Sequence, residues 1–138
     1  MRRAKMLTFS VLVLLAASVG LLSTAATAAA HSGEPPDGCR YYESPFGASC
    51  FEWDGDDQWV QDSKSNDWSA RAQIQTSYGK VRWCANTHHA VSWHECTFDH
   101  TENTCVRWRM YEQHDTGGPT RNWTPWTRWH STSTGDLC

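Results

Sequence analysis

Four histidines, His88, His89, His94 and His100, fall between residues 88 and 100 of this 138-residue chain, with Glu95 and Asp99 among them. Neutral imidazoles bind zinc or copper, and an imidazole beside a carboxylate can pass protons. The spacing argues against a built site. Phe98 stands where a second zinc-binding histidine would follow His94-Glu95, so the H-E-x-x-H pattern is absent. Histidines beside polar loops are ordinarily solvated, and that is the expectation here. A second group, Asp54, Asp56 and Asp57 with Asp62 and Asp67 nearby, offers hard oxygen ligands of the kind calcium takes. Trp59 replaces the glycine an EF-hand loop requires and Ser65 its last glutamate, which leaves a solvated hairpin turn as the expectation. No G-x-S-x-G elbow is present. The sequence therefore reads as non-catalytic, with no cofactor and no metal. A small metal-dependent hydrolase using the His88–His100 region is the weaker alternative.

Tryptophan is the better candidate. Nine Trp occur in the chain, more than a small core hides completely. Trp59, Trp68, Trp83, Trp93 and Trp108 are expected to build the core. Trp123, Trp126 and Trp129 recur every third residue, which places them on one face of an extended three-residue helix rather than on a strand. With Arg128 beside them, these three rings are the candidate ligand-binding residues. Pro125 confines the segment to a sheet edge or to that helix.

The elements that must position these side chains begin after residue 30. Arg2, Arg3 and Lys5, an apolar run from Leu7 to Leu22 and an A-x-A choice ending at Ala28 or Ala30 make a secretory signal peptide over residues 1–30. Its removal takes three basic and no acidic residues, so the mature net charge is 9 − 15 = −6. An acidic chain without a Lys/Arg run is matched neither to nucleic acid nor to an anionic membrane. Beyond residue 30 stand only four Val and one each of Ile, Leu and Met, against nine Trp, four Tyr and three Phe. Aromatic rings must therefore supply the core, each able to bury about 150–250 Å².

Six cysteines in an exported chain add disulfides to that core. They admit fifteen pairings. Spacing prefers Cys39–Cys50 and Cys84–Cys96, leaving Cys105–Cys138. No C-x₂-C pair suggests zinc instead. Residues 31–38, with two Pro and two Gly, read as a flexible N-terminal arm, and residues 39–50 as an irregular stapled loop. Asp54-Gly55 predicts a hairpin turn between runs of aromatic residues. Trp68, Ala70, Ala72 and Ile74 alternate with polar residues, as on a half-buried strand. Val81-x-Trp83, Val91-x-Trp93 and Val106-x-Trp108 each show a period of two, which predicts three more strands with one buried face. Six or seven short strands at this spacing give an all-β domain over residues 39–138, a small antiparallel sandwich or barrel stapled by disulfides.

The motifs Phe51-x-Trp53-Asp54-Gly55-Asp56, Trp59-Val60-x-Asp62, Asp67-x-Ser69-Ala70-x-Ala72 and Cys84-x-Asn86 resemble small exported actinobacterial β-rich proteins of uncharacterised function. That resemblance implies an extracellular β domain and no catalytic residues. Trp123-x-x-Trp126-x-x-Trp129 is similar to the Trp ladder of thrombospondin type 1 repeats, in which arginines interleave with the rings. Arg107, Arg109, Arg121 and Arg128 are the arginines available to do so, through shared stacking physics rather than kinship. Together these readings describe a secreted binding module that recognises cell-wall glycan, polysaccharide or an extracellular protein through exposed Trp. A structural protein, or an inhibitor presenting the Cys39–Cys50 loop, is the alternative.

Overall fold

A computed structural model describes residues 33–87 and 91–138. The signal-peptide assignment, His88 and His89 lie outside the described residues. Among the described residues there is no helix, and nine strands form two antiparallel sheets. The first sheet has the order β1 (Arg40–Ser44), β2 (Gly47–Glu52), β3 (Asp57–Asp62) and β6 (Trp93–Cys96). The second runs β5 (Val81–Ala85), β4 (Trp68–Thr76), β7 (Cys105–His114) and β8 (Thr120–Arg121), with β9 (His130–Ser131) on the start of β7. The sheets face one another across one core, so the fold is a sandwich.

Strict alternation builds that core. Ala70, Ala72 and Ile74 of β4 and Val106, Trp108 and Met110 of β7 point inward, all at most 1% exposed. Phe51 and Val60 of the first sheet meet them. The Phe51 and Trp108 ring centroids lie 5.8 Å apart, with small alanines leaving room for the two rings. Cys84–Cys96 ties β5 to β6 and so joins the sheets. Cys39–Cys50 ties the residue before β1 to β2, and Cys105–Cys138 anchors the C-terminus to β7. All three pairings are those the spacing preferred.

Several expectations are corrected. Residues 39–50 are a hairpin rather than an irregular loop: Pro45-Phe46 forms a tight turn, and Tyr41 pairs with Cys50. The acidic turn is not solvated throughout, since of Asp54, Asp56 and Asp57 only Asp54 is exposed. Asp56 Oδ2 accepts the His100 N–H at 3.0 Å and Asp57 Oδ1 that of Phe98 at 3.2 Å, so the two carboxylates dock the segment after β6. Asp62 accepts the N–H groups of Lys64 and Ala70 and shapes the β3–β4 connection. Their oxygens satisfy backbone donors that burial would otherwise leave unpaired. His100 is buried, with ring contacts to Phe51 and Phe98, and is not surface. Val81 and Trp83 face solvent, because the adjacent Cys84 takes the inward position to reach Cys96. Val91 is exposed and lies before β6 rather than in it. Trp68 and Trp93 are half-buried; Trp59 and Trp108 are core.

Candidate functional site

β7 sends Arg107, Arg109 and Tyr111 to the outer face of the second sheet, opposite to Val106, Trp108 and Met110. The tail then returns along β7. Thr124 N–H donates to the Met110 carbonyl at 2.9 Å, and Thr124 Oγ1 accepts the Met110 N–H at 2.9 Å. Thr127 repeats this on Trp108, at 2.8 and 3.0 Å. Two threonines three residues apart thus close the β7 edge between β8 and β9, and Pro125 stands between them, where no donor is used. The repeat W-T-x-W-T-x-W places each Trp one residue before or two after a clamping Thr, so all three rings lean over the same face.

The rings and guanidiniums alternate. Tyr111 stacks on Trp123, with centroids 4.1 Å apart and planes at 8°. Arg109 lies between Trp123 and Trp126, 4.2 and 4.5 Å from their centroids. Arg107 lies between Trp126 and Trp129, at 4.8 and 4.6 Å. Two such gaps make roughly 9 Å between successive Trp rings, the rise of three residues in a polyproline-II segment. That match is why a Trp at every third position fits a cation in every gap. The same guanidiniums are braced from β4: Arg107 donates from Nε and Nη2 to Gln75 Oε1 at 3.0 and 2.7 Å, and Arg109 Nε to Gln73 Oε1 at 2.9 Å.

Stacking leaves Trp123 and Trp126 with both faces covered, so these rings offer solvent their edges. Trp123 is 40% exposed; Trp126 and Trp129 are half-buried. Arg128 is exposed, and the cations in the gaps come from β7 instead. Arg121 lies over Trp68, 3.9 Å from its centroid. Trp83, on the same face, is 56% exposed. It pairs with Gln73, which in turn pairs with Arg109, so β5, β4 and β7 set Trp83, the glutamines and the ladder side by side. The Gln73 and Gln75 roles and the exposure of Trp83 were not read from the sequence. The Gln73-x-Gln75 and Arg107-x-Arg109-x-Tyr111 alternations were the available signal.

Two other groupings bear on chemistry. A cleft of about 520 Å³ opens beside Trp123, between Phe46, Lys64, Asn66 and Arg121. At its base the buried Glu112 accepts two 3.1 Å hydrogen bonds from Arg121 and another from Asn122. Burial pushes its pKa up, but those hydrogen bonds outweigh burial and hold it below the ordinary value. The cleft's main charge is therefore already neutralised within the protein. On the first sheet, oxygens of Glu52, Asp57 and Glu95 lie within 4.8 Å of one another. Burial, then the hydrogen bond with Glu95, pushes the Asp57 pKa up to about 7. A proton there relieves the repulsion that a cation would otherwise have to relieve. His100 is an unsuitable base: burial, with Arg82 nearby, lowers its pKa to about 4. His94 is half-buried on β6.

Fold and face together define a small disulfide-stapled β-sandwich carrying an arginine–tryptophan ladder on one sheet. Three disulfides suit an oxidising environment, and none of the described residues forms a helix long and apolar enough to cross a membrane. Comparison with protein-family models, curated proteins and solved structures finds no match.

Proposed function

We propose that this protein is a secreted, non-catalytic binding module that holds an extracellular glycan, cell-wall or other polysaccharide, on the outer face of its second sheet. One observation carries the reading: the exposed Trp83 lies on a half-polar sheet face in register with a braced aromatic wall. A sugar ring offers an apolar C–H face and polar hydroxyls, and such a surface serves both. Trp123, Trp126 and Trp129 act as the wall, and Arg128 extends its rim. The rigidity of that wall lowers the entropy lost on binding. An inhibitor presenting residues 39–50 draws less support, because Phe46 at the hairpin turn is buried and the exposed Tyr41 lies along β1 against Trp93 rather than at the turn.

The test is depletion of the purified protein from solution by insoluble peptidoglycan and by cellulose, for wild type and Trp83→Ala. The variant should lose binding while its stability changes by less than about 0.5 kcal/mol, as for an exposed position. Undiminished binding by Trp83→Ala would remove this face from consideration.

A further inference from the structure

On the floor between Trp83 and the ladder the side-chain acceptors, Gln73 Oε1, Gln75 Oε1 and the Tyr111 hydroxyl, are already engaged by Arg109, Arg107 and Arg71, which leaves donors. A guanidinium carries N–H groups only, so it can meet Gln73 and Gln75 solely through their carbonyl oxygens. The contacts of Arg109 with Gln73 Oε1 and of Arg107 with Gln75 Oε1 therefore fix both amides. Each amide thereby keeps its NH₂ as a donor that the arginine cannot use. Arg71, two positions before Gln73 on the same face, adds a third guanidinium, whose buried Nε has no hydrogen-bond partner. Among the described residues, Arg71, Arg107 and Arg109 have no ion pair with a carboxylate. No acidic residue occupies the paired outer-face positions of β5, β4 and β7 from Val81 to Ala85, Arg71 to Gln75 and Arg107 to Tyr111. That is a marked segregation in a chain where Asp and Glu outnumber Lys and Arg by fifteen to twelve.

Donors whose neighbouring acceptors are already engaged, and cations without carboxylate partners, match a ligand whose charged groups only accept. We propose that the trough binds an acidic polysaccharide, with carboxylates or sulfates on Arg71, Gln73 and Gln75 and a sugar ring on the exposed Trp83. The proposal rests on the glycan reading above and adds the chemical class of the glycan. Charge density favours this polymer over nucleic acid. A duplex presents a charge about every 1.7 Å, which three cations on a net-acidic protein do not match. The sparser charges of a uronate or sulfate polymer do match them.

The experiment compares polymers of one backbone with and without charge, by Trp fluorescence titration of the disulfide-intact protein. The pairs are polygalacturonate with its methyl ester and dextran sulfate with dextran, with duplex DNA as a further arm. At least one acidic polymer should bind more than tenfold tighter than its neutral partner. Binding should weaken between 0.1 and 1 M salt, as the screening length falls from about 10 to about 3 Å. The double variant Gln73→Glu/Gln75→Glu gives its arginines carboxylate partners of nearly the same shape, so its thermal midpoint should hold. It replaces the two NH₂ donors by negative charge, and acid binding should drop on the order of 100-fold. Equal binding of acid and ester forms would overturn the acidic assignment and leave the glycan reading standing. Failure of both acidic polymers to bind in 0.1 M salt, undiminished binding by the double variant, or tighter binding to DNA would each overturn the proposal.

Discussion

Replacing Asp57 by Asn should stabilise this protein at pH 8 and leave it unchanged at pH 4. The folded Asp57 has its pKa raised from 3.8 to about 7, so the folded state holds a proton that the unfolded chain releases. Stability from that proton is complete below about pH 4, falls as pH rises, and is gone above about pH 7. One pKa unit corresponds to about 1.4 kcal/mol, which sets a ceiling of roughly 4 kcal/mol for the loss. Part of that shift comes from the hydrogen bond with Glu95, which the variant keeps, so about 2–4 kcal/mol is the working range. Asn keeps the geometry: its Oδ1 still accepts from the Phe98 N–H, and its NH₂ can donate to Glu95 as the acid O–H does. His100 works in the opposite sense. Its pKa is lowered to about 4, so its contribution is present above about pH 6.5 and lost as pH falls. In the wild type the two slopes offset one another between pH 4 and 6.5; in the variant the His100 slope stands alone. Urea midpoints followed by Trp fluorescence from pH 4 to 8 measure this. A variant less stable than wild type at pH 8, or a difference that does not change with pH, would refute the reasoning.

Two further outcomes follow from the packing. Trp126→Ala removes two cation–π contacts, worth about 0.5–1 kcal/mol each, and roughly 100 Å² of half-buried ring, worth about 2.5 kcal/mol. Urea unfolding should therefore show a loss of about 3.5–4.5 kcal/mol, exceeding that for Trp129→Ala, whose ring meets only one guanidinium; a loss below about 1 kcal/mol would mean the ladder is not coupled to the fold. Gly47→Ala should cost about 3 kcal/mol or more, because the new Cβ would lie 2.1 Å from the backbone oxygen of Gln61 on the paired strand. A variant with an unchanged midpoint would show that β2 and β3 can separate at that end.

Local pattern alone determined much of this protein. Alternation along Trp68–Thr76 and Val106–Trp108 set which residues share a face, since a pleated strand has a period of two whatever it packs against. Asp54-Gly55 marked its turn, and cysteine spacing ordered the three disulfides correctly. The three-residue Trp repeat announced a shared face for the same kind of reason. Periodicity does not say which of two faces is buried, however. At Trp83 and Cys84 that choice was made by Cys96, twelve residues on, whose bond across the core turned Trp83 outward. Nor does it say which strands are neighbours. Gln73 meets Arg109 only because β4 pairs with β7, thirty-six residues away, rather than with a strand of the other sheet. His100 and Asp56 are polar in sequence and buried in the fold, where Asp56 Oδ2 accepts the His100 N–H and His100 Nδ1 meets the Tyr78 hydroxyl. The floor of free donors belongs to tertiary structure for the same reason: a glutamine's amide has no fixed direction until a guanidinium, held between two tryptophans, takes its oxygen.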